Sequence, residues 1–254
     1  MSTRIMDIIQ SLSPWQWALA VACTLMVGLS KTGLPGLGIL FVPLFAMVLP
    51  ARLSTGAMLP LLLVGDAFAV TWYRRNAVWR HLVRLLPWAV AGIVIGFFTL
   101  GVLDDRILRP LIGAIVILLL GVQFWRDHAK KGQATVPTAW WFAAVLGLIA
   151  GATTMLANAG GPVMMVFLLA MRLPKDDFIG TSAWFFAMVN VIKVPFSVGL
   201  GLITPSTLVF DAVIAAGVLV GCLLGVVAAR KLPERAFSIV VQVLTLGSAI
   251  LLFF

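Results

Sequence analysis

The feature that most narrows what this chain can become is a succession of apolar runs, ten of them, with most of the charge confined to the connections between them. They fall at 14–30, 35–49, 53–73, 82–102, 107–125, 138–157, 160–172, 177–199, 206–229 and 235–254. Most reach the ~20 residues that carry an α-helix across a ~30 Å hydrocarbon core. Runs such as "LIGAIVILLL" at 111–120 do not alternate apolar with polar residues, which argues against the strands of a membrane barrel. Composition agrees, because 62% hydrophobic against 11% charged residues cannot cover a water-facing surface. The expected fold is all-α, a polytopic transmembrane helical bundle forming a single membrane domain over 1–254.

The amino terminus carries an acidic residue early and no small-residue cleavage site, so 14–30 reads as the first membrane segment rather than a signal peptide. If successive segments alternate sides, one set of connections holds 13 basic residues, from Lys31 and Arg74 to Arg230, Lys231 and Arg235. The other holds four, Arg4, Arg52, Arg106 and Arg109. This asymmetry places the chain in the cell (inner) membrane with both termini outside the cytoplasm. It remains if segments one and two form a re-entrant hairpin, since removing two crossings preserves every later side. The net charge of +9 follows from the same bias and from anionic lipid, so no nucleic-acid partner is expected. Cys23 and Cys222 sit singly in apolar runs and read as small buried hydrophobes.

A shift of 124 residues lays Leu49-Pro50 on Leu173-Pro174, Gly36 on Gly160, Gly56 on Gly180 and Asp66 on Asn190. With a small insertion, "LDDR" at 103–106 meets "LPER" at 232–235, and "GIVIG" at 92–96 meets "GVLVG" at 217–221. The expectation is two five-segment repeats, 14–125 and 138–254, each crossing the membrane five times. An odd number of crossings inverts the second copy, an organisation typical of transporters.

Segments two and seven occupy corresponding places, are too short to cross comfortably, and begin in Gly/Pro-rich sequence: "SKTGLPGLGILFVPL" at 30–44 and "GGPVMMVFLLAMR" at 160–172. Short, broken segments of this kind point to a substrate site. Backbone N–H groups left open at their helix starts favour an anion. Gly36, Gly160 and Gly161 allow close approach to that backbone, while Ser30, Thr32, Thr154 and Asn158 offer side-chain hydrogen bonds. Lys31 either complements an anion or marks the inner side. Asn190 and Lys193 lie three apart on one face of segment eight, well inside the span. Lys193 either serves the pathway or snorkels to the outer interface. Asp66, the acidic residue deep in a span, is the candidate to pair with Lys193, to take a coupling proton, or both. Asp211 reads as an outer interfacial residue.

These two broken segments, with "GTSAWFFAMVNVIKVPFSVGLG" at 180–201 and "LSTGAMLPLLLVGDAF" at 53–68, resemble the sulfite exporter TauE/SafE family of bacterial and archaeal membrane proteins. The likeness covers nearly the whole chain. It implies a permease for a small sulfur-containing anion, sulfite or an organosulfonate, linked to the proton gradient.

Other chemistries find little support. "GLPGLG" lacks the Lys-Ser or Lys-Thr of a phosphate-binding loop. His81 and His128 stand alone in basic connections and read as solvated; Asp104 and Asp105 have Arg106 and Arg109 as neighbours. No hydrolase triad or metal motif appears, so neither an enzyme nor a cofactor is expected. Several of the nine tryptophans fall near segment ends, as in an interfacial belt. The expected partners are a small anionic substrate and the lipid bilayer, with a second copy of the chain as a further one. An anion channel and a carrier of another small organic anion are the alternatives.

Overall fold

The computed structural model describes residues 11–34, 37, 41–45, 47–49, 51–100 and 139–233, with isolated positions between 114 and 121 and between 236 and 250. These form α1 (Pro14–Thr32), α2 (Phe41–Phe45), α3 (Ala51–Trp72), α4 (Trp79–Leu100), α5 (Trp140–Ala157), α6 (Gly161–Ala170), α7 (Lys175–Gly199) and α8 (Pro205–Lys231). No strand occurs among the described residues. Eight of the ten apolar runs thus carry a helix. The runs at 107–125 and 235–254 lie, isolated positions apart, outside the described residues, as do Gly36, Asp104, Asp105 and His128.

Local chemistry sets the helix ends. Pro14 opens α1, where its missing N–H costs nothing, and the Gln16 side chain accepts from the Ser13 backbone N–H at 2.9 Å. At α8 the Thr204 hydroxyl accepts from Thr207 N–H at 3.2 Å, ahead of Pro205. α5 stops at Asn158, whose left-handed φ of 53° is one that asparagine tolerates. Asp176 and Asp177 sit in the first turn of α7, where carboxylates complement the helix dipole.

Four helices, α3, α4, α7 and α8, are long and apolar enough to cross a membrane. The remaining helices fold differently from the crossings expected of them. Trp17, near the start of α1, lies 5.3 Å from the Phe210 ring, and Phe45, the last residue of α2, lies 6.2 Å from that same ring. The α1–α2 pair therefore enters the protein and returns to the same end. Likewise Phe142, early in α5, stacks 6.1 Å from Phe167 near the end of α6. The expectation of five crossings per half is corrected: segments one and two, and segments six and seven, are helical hairpins whose tips stop inside. The ends of α1 and α5 that lead into these breaks are buried, at Ser30, Thr32, Thr153 and Thr154, and broken backbone is tolerated where protein surrounds it.

Each hairpin has its own hydrophobic core. One core joins α1 and α2 to α3 and α8, through residues such as Val27, Phe45, Leu61 and Phe210. The other joins α5 and α6 to α4 and α7, through residues such as Leu85, Ile93, Phe167 and Phe185. Glycines set the closest helix approaches. A methyl group on Gly28 or Gly221 would strike the backbone across the α1–α8 contact, and one on Gly92 or Gly151 would do so across α4–α5. α3 and α7 cross between the two bundles. Gly56 of α3 seats Leu202 from the turn after α7, while Gly180 of α7 seats Asn76 from the turn after α3.

Candidate functional site

The two hairpin tips open onto one internal cavity. Ser30 and Lys31 from the end of α1, Thr154 and Asn158 from the end of α5, and Gly161 at the start of α6 line it. α7 contributes Ser182, Phe186 and Asn190, while Phe41 of α2 and Leu62 of α3 close the apolar side. Its volume, for the centres of water-sized spheres, is about 40 Å³. One water needs ~10–15 Å³ on that measure, so the cavity fits about three waters or one small ion. Asn190 lies about 15 Å along α7 from Gly180, which contacts Asn76, at 1.5 Å per residue and close to half a hydrocarbon thickness, and Asp66 bonds to it there.

Two buried lysines stand at the cavity: Lys31 in its wall, and Lys193 behind it, outside the lining, bonded to Thr154 and Asn158, which do line it. Lys31, whose side chain is 8% exposed, pairs with Asp66 at 2.6 Å and lies 4.8 Å from the centroid of the Phe186 ring. The other Asp66 oxygen accepts from Asn190 Nδ2 at 2.6 Å, a bond between the two bundles. Lys193, only 1% exposed, donates to Asn158 Oδ1 at 2.6 Å and to Thr154 Oγ1 at 3.3 Å. Asn158 Nδ2 in turn donates to the Thr55 carbonyl at 2.9 Å, tying the α5–α6 tip to α3. Lys193 thus has neutral partners, whereas Lys31 has a carboxylate.

Several sequence expectations are placed differently. Lys31 is not an inner-loop marker but a buried ion-pair member. Asp66 pairs with Lys31, not with Lys193, and Lys193 does not snorkel. Thr32 is buried away from the cavity, its hydroxyl donating to the Cys222 carbonyl at 2.7 Å and to the Gly28 carbonyl at 3.2 Å, a seam between α1 and α8. Gly160 caps α6 and packs on Thr154 without lining the cavity. Asp211, near the start of α8, is buried in the protein rather than open at its surface: it is 4% exposed, and neither carboxylate oxygen has a hydrogen-bond partner. His81 is half-buried with its ring 6.0 Å from Phe167, so it is not simply solvated. Cys23 and Cys222 are buried and unpaired, as read. Ser182 and Phe186 were missed, although with Asn190 they form an i, i+4, i+8 stripe on α7 that helical spacing makes visible.

Of the described basic residues, Arg74, Arg75, Arg80, Lys175 and Arg230 lie at one end. There Val78 N–H donates to Thr181 Oγ1 at 2.9 Å, and Lys175 Nζ donates to the carbonyls of Ala229 at 2.7 Å and Leu232 at 3.1 Å. These contacts gather the α3–α4 turn, the start of α7 and the end of α8, and with them Arg74, Arg75, Arg80 and Arg230.

No group of histidine, cysteine, aspartate or glutamate side chains among the described residues is arranged to hold a metal ion. Among known proteins, no curated sequence and no solved structure matches the chain. A family model does, described as "Sulfite exporter TauE/SafE", over residues 20–252. That match takes in the first hairpin from Ala20 on, the whole of the second, the described crossing helices and every residue around the cavity, and the chain belongs to the sulfite exporter TauE/SafE family of membrane transport proteins.

Proposed function

We propose that the protein carries a small sulfur oxyanion, sulfite or a compact organosulfonate, across the cytoplasmic membrane together with a proton. The observation that carries this reading is the balance of side chains at the cavity: two buried lysines, Lys31 and Lys193, against the single carboxylate of Asp66. In a poorly screened interior an unbalanced cation attracts an anion strongly, and a bound oxyanion supplies the missing charge. Thr154 accepts from Lys193, which leaves its own hydroxyl proton for the ligand. Asn158, the second amide proton of Asn190 and the open N–H groups at the start of α6 add donors around the same space.

Asp66 is the proton site of this scheme. A proton there removes the counter-charge of Lys31, so anion and proton load together. Two inverted repeats account for the architecture. Asp66 and Asn190, related by the 124-residue shift, bond to each other, and the same shift relates Ser30 to Thr154 and Leu62 to Phe186, all on the cavity wall. The packing of α1 on α8 mirrors that of α5 on α4. The basic end faces the cytoplasm by the positive-inside rule, with both termini outside. Rocking one hairpin bundle against the other exposes the cavity alternately to each side.

Flux in proteoliposomes tests this. Sulfite should move saturably, and Lys193→Ala should lower its flux about tenfold or more, the scale of one lost charged hydrogen bond. Flux of methanesulfonate, whose own charge is constant with pH, should lose its pH dependence in Asp66→Asn. Unchanged flux and unchanged pH dependence in both variants would sink the assignment.

A further inference from the structure

A second cavity opens at the basic end, bounded by Trp72, Tyr73 and Asn76 after α3, Lys175 and Asp176 at the start of α7, and Arg230 at the end of α8. We infer that it is a vestibule site that binds the oxyanion in hydrated form before water is stripped and the ion passes to the central cavity. The inference rests on the transport reading above and adds a second, separate anion site to it.

Size and charge both support it. On the same measure the vestibule holds about 360 Å³ against about 40 Å³ at the centre. At ~10–15 Å³ per water, it has room for an ion with its hydration shell, where the central cavity holds only the bare ion. The Arg230 guanidinium lies over the Trp72 ring at 5.6 Å, an arrangement that uses its face and leaves the N–H groups at its edge free. No ion pair engages Arg230 among the described residues. Lys175 spends two of its three protons on the Ala229 and Leu232 carbonyls, offsetting the negative end of α8 and keeping one proton for a ligand. Asp176 is the opposing carboxylate. It sits in the first turn of α7, where the open helix amides draw it, and the lining keeps two cations to one anion.

A single residue joins the two sites. The Tyr73 hydroxyl donates to the Thr32 carbonyl at 2.9 Å, and Lys31, the next residue back, lines the central cavity. Burial pushes the Tyr73 phenol up to about 12, with Asp176 adding to the rise and Arg230 opposing it, so the phenol stays a neutral donor at this boundary.

Thermal unfolding of the detergent-purified chain with sodium sulfite, against sodium chloride at equal ionic strength, separates the sites. Lys193→Gln should retain part of the sulfite-induced rise, and Arg230→Gln combined with it should remove the remainder. Asn76→Asp, isosteric but negative, should act like Arg230→Gln and guards against misfolding of the arginine variant. In oriented vesicles Arg230→Gln should raise the half-saturating sulfite concentration about fivefold at the basic face, the scale of one weakened charged contact, and leave the opposite face unchanged. If Lys193→Gln removes the whole rise and Arg230→Gln matches the wild type, the vestibule is overturned and the central site stands. No rise in the wild type overturns both. Stabilisation by phosphatidylglycerol that depends on Arg230, with none from sulfite in Lys193→Gln, overturns the vestibule in favour of a lipid headgroup.

Discussion

The two bundles meet at the cavity with the same kind of residue and treat it in opposite ways. In the α1–α2–α3–α8 bundle, Lys31 is neutralised inside its own bundle by Asp66. In the α4–α5–α6–α7 bundle, Lys193 is hydrogen-bonded by Asn158 and Thr154 but not neutralised. The first arrangement is a closed pair, whose loss leaves an orphaned buried charge. The second is an open one, satisfied in geometry but wanting an anion. Position alone does not make a buried lysine a ligand site; the charge of its partners decides.

The largest effect should come from opening the closed pair. Lys31→Ala should cost about 3–5 kcal/mol of stability, read as a lowered unfolding midpoint, because Asp66 is then buried without its cation. Adding Asp66→Asn should restore most of that loss; if it restores nothing, the pair is not the source. Next comes the open lysine. Lys193→Gln should weaken sulfite binding by about 1.5–3 kcal/mol, roughly ten- to a hundredfold, with a smaller loss of stability than Lys31→Ala. Equal stability losses in the two lysine variants would erase the contrast between the bundles.

A subtler break exchanges the bridging pair. Asp66→Asn with Asn190→Asp keeps one carboxylate and one amide at the crossing of α3 and α7, but moves the negative charge onto the helix that bears Lys193. Anion affinity should fall about as far as in Lys193→Gln, since the open lysine gains a carboxylate one turn away. The smallest effect should be Thr32→Val, about 1 kcal/mol of stability for one hydroxyl bond to Cys222. Sulfite affinity should not change, as Thr32 lies outside the cavity.

Much of this was legible in the residues. Apolar length marked eight described helices, and the Gly/Pro breaks at 30–44 and 160–172 led to the cavity. Ser30, Lys31, Thr154, Asn158, Gly161 and Asn190 were named from the chain and share one wall. The re-entry of α1 was not legible as a fact, because its 19 residues, most of them apolar, are as long as a crossing helix. Only packing on Phe210 shows that the chain turns back. The partner of Asp66 was missed for the same reason: Lys31 read as an anion ligand or an inner-side charge, and only a helix that ends inside the protein brings it to Asp66. Thr32 could not be told from Ser30, two residues away, since which of them faces α8 depends on how the hairpin is rotated.

Transport of this kind requires an anion held where the two tips meet. Anomalous diffraction from crystals grown with selenite, a heavier analogue of sulfite, locates such an ion directly. A selenium peak between Ser30, Thr154, Asn158 and Asn190, lost in Lys193→Gln crystals, is the predicted result; an empty cavity at saturating selenite, with the peak absent or on the protein surface, would contradict it.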